Sequence, residues 1–466
     1  MHSAFAGAAR TRAMQMNFHS QSFLQGKMRN SIKITNLAPS QGVIPDFSRV
    51  LICPSGFKES LGPDAVCNCI EAGVLRAMPN ARITKLPMVD GGQGFAEGLV
   101  AATKGQLVNV KVTGPVRLPV DSHFGFLGTA LGYAQKTAVM EMAAAAGLHL
   151  VPRDLRQPLR TTTYGVGELI KSALDAGAEH VLFGCGDSGT CDGGVGMAQA
   201  LGAKFYATDG TEIPLASGGI PLETLASADL SGLDPRLSTV KIDVACNWHN
   251  LLCGPRGVAR VFGPQKGASP ADVEKLEHAM NNVAAVVKAN TGIDASTANG
   301  SGASGGLGAG LQLIGATLHS RFDIITKFLK LDEFIANCDI AFTAEGGIDN
   351  QTPYGKIPSE VARRAKRFDV PVVALAGTIG DGANVNYGAG IKAYASICQR
   401  PTSLEDAIAG AERLLIDAAE GMMRTIMVGY TMSRSPSPGR SPNGEGSRKP
   451  ASPPGFQMRR TSTAIY

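Results

Sequence analysis

Short apolar runs alternate with amphipathic stretches along most of the chain, and the runs tend to end in glycine. Val50-Leu51-Ile52-Cys53 predicts a first strand, followed by a loop and a helix from about Gly62 to Met78. Ile83 to Pro87 predicts a second strand, ending in Asp90-Gly91-Gly92-Gln93-Gly94 and a helix from Phe95 to about Lys104. His180 to Phe183 is read as a strand before a long glycine loop. Asp339 to Thr343 is read as another, before Glu345-Gly346-Gly347 and a helix from about Ser359 to Arg367. Val370 to Ala376 forms one more, ending at Gly377. Strand, loop and helix repeated this way mean a parallel sheet with crossover helices. Ligands gather beyond the carboxyl ends of such strands, which is where the acidic glycine loops fall. Residues 106–145 differ. Val108 to Val112 and Val120 to Leu127 alternate over shorter runs, which suits a more antiparallel, separate domain.

The chain has 466 residues, 44% hydrophobic and 18% charged, enough for two or three domains with a large core. With 57 glycines and only 6% aromatics it reads as an α/β enzyme rich in backbone loops, not an aromatic-lined nucleic-acid binder. The net charge of +5 belongs to the two ends. Residues 1–45 hold Arg10, Arg12, Lys27, Arg29 and Lys33 with no acidic residue, and residues 431–466 hold six basic residues against Glu445. Each end therefore carries +5, which leaves the body at −5 and without a nucleic-acid footprint. The first segment has the composition of a mitochondrial presequence or of a disordered extension, so the compartment is cytoplasmic, or mitochondrial if it is a leader. The last is expected to be a disordered Ser/Pro/Arg tail. No apolar run is long enough to cross a bilayer. Nine cysteines without zinc-site spacing read as free thiols of a reducing compartment.

The richest chemistry lies between Gly184 and Gly202, where Gly186, Ser188 and Gly193 surround Asp187 and Asp192 ahead of a helix. Such a loop brings backbone N–H groups and a positive helix end toward an anion, although glycines also serve simply as tight turns. Lys58 follows the first strand and offers a point charge to a phosphate, or else is a solvated lysine. Arg160 offers a bidentate partner to a carboxylate, and Thr163 an N-cap to the helix after it. Phe262 to Gly267 and Ser301 to Gly308, the latter with Gly305 and Gly306, read as flexible small-residue loops. Glu345 and Asp349 supply carboxylates, with Lys356 close behind. Backbone donors, cations and carboxylates are the parts phosphoryl transfer needs. The GxxxxGK[ST] spacing is absent, and the missing GxGxxG weakens a dehydrogenase reading. Cys185 and Cys191 read as buried thiols rather than nucleophiles.

These loops, in this order, resemble the type I glycerate kinase family. The matching segments run from Phe57-Lys58 to about Gly377 and include DGGQG, Val112-Thr113-Gly114-Pro115, Glu141-Met142-Ala143, TTTYGVGELI, DGGVGMAQALG, Phe262 to Ala268, SGASGGLG and Glu345 through Lys356. The resemblance implies transfer of the ATP γ-phosphate to D-glycerate, commonly at the 2-hydroxyl, with ATP and Mg²⁺ as cofactors. It implies a discontinuous flavodoxin-like parallel-sheet domain over 46–105 and 295–428, with a second α/β domain inserted over 106–294 and the site in the cleft between them. Within that site Asp192 is expected as general base and Lys58 as the cation on the transferring phosphoryl. Asp90, Gly91, Gly92, Arg160, Thr163, Gly186, Ser188, Gly193, Gly305, Gly306 and Lys356 are expected to hold substrate or phosphate, and Glu345 and Asp349 the metal. Small molecules are the expected partners, with neither nucleic acid nor membrane; a homodimer is compatible with this.

The chain departs from the family pattern at several loops. Ser55-Gly56 replace Asp-Ser and Glu59 replaces Gly in the first loop, Gln93 and Asn247 replace carboxylates, and Asp187 is an added one. Two further readings follow from those changes: a kinase for another small hydroxy acid, or a non-catalytic binding protein.

Overall fold

The computed structural model describes residues 47–434 except 58–59, 130–131 and 133–135. The leader reading, Lys58 and the Ser-Pro tail therefore lie outside the described residues. The helix Ala411–Arg434 carries regular structure past the point where the tail was expected to begin.

Among the described residues thirteen strands form two large sheets and a two-stranded antiparallel one. Strands β1 (Arg49–Ile52), β2 (Arg82–Lys85), β3 (Gln106–Thr113), β4 (Pro119–Phe126), β5 (Thr137–Glu141) and β6 (His180–Gly184) come first. They are followed by β7 (Lys204–Ala207), β8 (Leu225–Asp229), β9 (Lys241–Cys246), β10 (Thr317–Ser320), β11 (Ile340–Ile348), β12 (Val372–Ile379) and β13 (Ile391–Ser396). The first sheet has the order β13-β12-β11-β1-β2 and every pair in it is parallel. Counted within that sheet, this is the flavodoxin order, which reverses between β1 and β11. The second sheet runs β10-β9-β6-β5-β4-β3. Its first four strands are parallel, and β4 and β3 are antiparallel additions at one edge. The runs at 108–112 and 120–127 are thus an antiparallel pair that extends a parallel sheet. The second sheet also reaches past residue 294, because β10 pairs with β9; the chain re-enters the first sheet at Ile340.

Side-chain alternation shows how the sheets are layered. Val50 and Ile52 face a core made with the helices Pro63–Ala77 and Ala411–Arg434, while Leu51 faces the other way. Ala138, Met140, Val181, Phe183, Ile242 and Val244 face the outer core of the second sheet. Val139, Leu182 and Ala245 join Leu51, Ala341 and Ala374 in a middle core. That middle core is filled by Phe95, Leu99, Phe322, Ile325, Val361 and other residues of the intervening helices. Both sheets are thus buried on both faces, which is why their strands read as continuous apolar runs.

One charge network fixes register inside the second sheet. Asp243, on β9 and buried, lies 2.8 Å from His180 Nε2 on β6, 2.7 Å from His319 Nε2 on β10 and 2.6 Å from Lys241 Nζ. Burial alone would raise its pKa, but the hydrogen bonds from His180, Lys241 and His319 outweigh burial and hold it well below the usual carboxylate range. The clamp on His319 also sets the end of β10, and with it Arg321.

The helices Pro63–Ala77 and Ala411–Arg434 cross at Gly73, where an added Cβ would lie 2.3 Å from the Ile416 carbonyl oxygen and 2.7 Å from Ala419 Cβ. Overpacking there costs about 1–3 kcal/mol, more than the roughly 0.5–1 kcal/mol Ala gains over Gly in a helix. Gly73→Ala is therefore expected to lower the melting temperature. Gly421→Ala, on the same long helix with nothing within 4 Å of its Cβ position, is expected to raise it. Thermal unfolding of the two variants checks the sign of each.

Candidate active site

The carboxyl ends of β5, β6, β9 and β10 open onto one cleft of about 540 Å³, whose facing wall is the loop after β2. Its lining includes Asp90, Gly92 and Gln93 from that loop, and Gly186, Asp187 and Ser188 after β6. Asn247 and Asn250 follow β9, Ser304 and Gly305 begin a helix, and Arg321 follows β10. His149, Gln265 and Lys266 complete the polar lining.

The two acidic loops are tied together. Asp187 Oδ2 accepts from Gln93 N at 3.0 Å, and Asp90 Oδ1 accepts from Gly92 N at 3.1 Å. Both carboxylates crowd Gly92: an added Cβ there would meet Asp187 Oδ2 at 2.3 Å and Asp90 Oδ1 at 3.3 Å. Two non-glycine residues of the cleft, Asp187 (φ 49°) and Ser304 (φ 54°), hold left-handed backbone. Such conformations cost of order 1–3 kcal/mol and persist where the surroundings impose them. Asp187 is held by Leu148 N donating to its carbonyl at 2.9 Å as well as by Gln93. Ser304 opens a left-handed turn continued by Gly305 and Gly306.

Arg321 joins the two sheets at the mouth. Its guanidinium donates to the Gly355 carbonyl at 2.7 Å and the Asp90 carbonyl at 3.4 Å, and lies 3.7 Å from Asp90 Oδ2. Lys266 sits deeper, 3% exposed, donating to Ser188 Oγ and the Thr190 carbonyl at 2.7 Å each. Desolvation lowers its pKa.

Of the residues expected from sequence, Asp90, Gly92, Gly186, Ser188 and Gly305 line the cleft. Gly91 (φ 88°) packs just behind, with its Cβ position 3.3 Å from the Ala245 carbonyl oxygen. Asp192 does not line it. This carboxylate is 1% exposed and spent inside the protein, accepting from Thr163 N at 2.7 Å, Thr163 Oγ1 at 2.9 Å and Gly194 N at 3.2 Å. The helix Val195–Ala200 does attract an anion to its start, but that anion is Asp192. Thr163 likewise makes no cap to its own helix; its hydroxyl accepts from Met197 N at 3.0 Å. Gly193 and Gly306 serve close packing, their Cβ positions lying 2.9 Å from Val283 and 2.8 Å from Gly193 Cα. Arg160 is exposed in a turn and is not among the residues that line the cleft.

Glu345, Asp349 and Lys356 belong to the carboxyl edge of the first sheet. Lys356 Nζ lies 3.2 Å from both oxygens of Asp349 and 3.0 Å from the Gly347 carbonyl. Burial would raise Asp349, but the Lys356 bond with backbone and Thr352 bonds holds it below the ordinary carboxylate value. Ser55 N donates to the Ala344 carbonyl at 2.9 Å, so the loop after β1 starts beside this group. Arg321, through Gly355, connects this edge to the cleft.

Sequence reasoning missed Arg321, His149 and the buried lysine at 266. Arg321 has the signature of a cation directly after a strand, had Thr317–Ser320 been read as one. Lys266 was hidden in a segment read as a flexible loop and matched to the family, with no role given to the lysine itself. The thiol readings hold: all nine cysteines are free. Burial pushes Cys185 well up and Cys191 to about 11. No described helix is long and apolar enough to cross a membrane.

Residues 50–427 match the model of the glycerate kinase family. The chain is 43% identical over 385 residues to a protein of Bacillus subtilis (strain 168) named glycerate kinase, covering 82% of this chain and 99% of that one. It is 42% identical over 382 residues to the glycerate 2-kinase of Escherichia coli (strain K12), covering 82% and 98%. A crystal structure from Salmonella typhimurium LT2, provisionally assigned as glycerate kinase 2, superposes with a TM-score of 0.73 at 42% identity, covering 82% of this chain and 99% of that one.

One titration follows from the loop after β2. Glu141, at the end of β5 and 1% exposed, accepts from Gly94 N and Ala96 N at 2.8 Å each, capping the helix Phe95–Thr103. Burial nevertheless pushes it up to about 7 from an ordinary 4.5. A raised carboxylate favours folding below its unfolded pKa, and that contribution is lost as pH rises through the folded one. Between about pH 4.5 and 7, wild-type stability should therefore fall relative to Glu141→Gln. Denaturant unfolding of both proteins at pH 5 and pH 8 checks it.

Proposed function

Because the chain belongs to the glycerate kinase family, we propose that it transfers the γ-phosphoryl group of ATP to D-glycerate, giving 2-phosphoglycerate. The observation that carries this reading is a single cleft holding the Asp90 and Asp187 carboxylates beside the cations of Arg321 and Lys266. In the reaction the acceptor oxygen bonds to the γ-phosphorus as the bond to ADP breaks, and the hydroxyl proton leaves to a carboxylate. Asp187 fits that last task, since its carboxylate is exposed within the cleft and its backbone is held rigidly. Asp192, sealed by donors, is a brace for the loop.

The nucleotide is assigned to the neighbouring edge, where the order of the first sheet reverses between β1 and β11. Lys356 is its proposed phosphate contact, with Lys58 kept as a candidate from the sequence motif alone, and Arg321 stands where the two halves meet. Mg²⁺, when bound, neutralises phosphate charge and needs hard oxygen ligands. Asp90 fits, being exposed with Oδ1 taken only by a backbone N–H. Glu345 is half-buried on the nucleotide edge and is retained as a second candidate. Asp349 does not fit, because Lys356 already occupies both its oxygens.

The test is ADP release by the purified protein with D-glycerate and ATP, with the phosphorylated carbon identified by ³¹P NMR. Ligand-induced thermal stabilisation without ADP release on any hydroxy acid would leave a binding protein instead. Asp187→Asn should lower kcat by roughly 10²–10⁴-fold at an unchanged melting temperature. Asp192→Asn should lower the melting temperature, because an amide NH₂ turned toward a buried donor breaks the brace.

A further inference from the structure

Resting on the kinase reading above, we propose that Lys266 holds the carboxylate of the acceptor and so makes this enzyme select hydroxy acids over neutral alcohols. Three observations meet at this side chain. It is 97% buried by its 3% exposure, yet it lines the cleft. Its hydrogen-bond partners are the neutral Ser188 hydroxyl and the Thr190 carbonyl, at 2.7 Å each. An ammonium has three N–H donors, so one remains for a ligand, and no described carboxylate forms an ion pair with it.

The nearest buried carboxylate, Asp192, acts on Lys266 without direct contact and is itself taken by Thr163 and Gly194, so burial still dominates and lowers the lysine's pKa; an incoming anion in direct contact offsets that cost. Among the described residues, the two neighbouring cations are already matched: Arg321 lies 3.7 Å from Asp90 Oδ2, and Lys356 is paired with Asp349. The surroundings of Lys266 also suit a small carboxylate. Ser304 Oγ is buried without an oxygen or nitrogen partner, against the Cys185 thiol, and Ser304 lines the same cleft.

Position separates a carboxylate role from a phosphoryl role. Lys266 is recessed, whereas the acidic groups and Arg321 that flank the transferring phosphoryl are more open, with side-chain exposures of 49% for Asp90 and 26% for Arg321. Ser188, bonded to Lys266, directly follows Asp187 in the chain. Lys266, Ser188 and Asp187 all line the one cleft, so a single small ligand can meet both the ammonium and the carboxylate assigned to the acceptor hydroxyl. Adjacent carboxylate and hydroxyl carbons are what a 2-hydroxy acid presents.

The test pairs a protein variant with a substrate variant. Steady-state kinetics and thermal shift are measured for wild type and Lys266→Met with D-glycerate, and with D-glyceramide, its neutral amide. Removing one partner of a buried charge pair costs about 2–5 kcal/mol, so the KM for D-glycerate should rise at least roughly 30-fold. The KM for ATP should stay within about threefold, and stabilisation by D-glycerate without nucleotide should disappear. Wild type should prefer glycerate over glyceramide by a similar factor, and Lys266→Met should lose that preference. An unchanged glycerate KM in the variant overturns the proposal, as does a kcat loss at constant KM, which would move Lys266 to the phosphoryl group. Should the variant not fold, equal use of glyceramide and glycerate by wild type overturns it alone. If wild type neither binds nor phosphorylates glycerate, the kinase reading itself has failed; if it does both and the variant still prefers glycerate, only the role of Lys266 falls.

Discussion

The apolar layer between the two sheets is the constraint on which the site depends. Leu51, Ala341 and Ala374 from one sheet and Val139, Leu182 and Ala245 from the other bury against the same helices. Residues of that size each gain about 1.5–3 kcal/mol on full burial when they are Val or Leu, so the layer strongly resists separation. It leaves the carboxyl end of the second sheet facing the loop after β2. Asp90 and Asp187 are far apart in sequence, yet both crowd Gly92 because of this packing.

Within that frame the protein supplies its own anions where a ligand was to be expected. Asp192 takes the donors at the start of Val195–Ala200, and Glu141 takes those at the start of Phe95–Thr103. The helix start after Gly194, which reads as an anion site in the sequence, is thereby filled from inside, as is the start of Phe95–Thr103. The cleft keeps a different set of charges, supplied by side chains after β2, β6 and β10 and by Lys266. Rigid support rather than a helix dipole positions them: Asp187 by Gln93 and Leu148, Arg321 by the register that Asp243 imposes on β10.

Much of the fold was legible because buried parallel strands require continuous apolar runs. Val50 to Cys53, His180 to Phe183 and Val370 to Ala376 each mark a real strand to within a few residues. Thr317–Ser320 gave no such signal: it is short and carries His319, which is placed by a buried aspartate from another strand. Missing it cost the sequence reading both Arg321 and the reach of the second sheet beyond residue 294.

The glycine loops themselves were determined by local chemistry, since positive φ and close backbone approach demand residues such as Gly91, Gly92 and Gly305. Local sequence thus pointed to the loops of Asp90, Gly186 and Ser188, which line the cleft. It could not say which carboxylate faces solvent. Asp187 and Asp192 stand in one loop, and only the donors contributed by Thr163 and Gly194 turn the second inward while the first is left in the cleft. The role of a charge depends on its partners and its exposure to water. Both are properties of distant segments brought together, so the tertiary structure alone decided them.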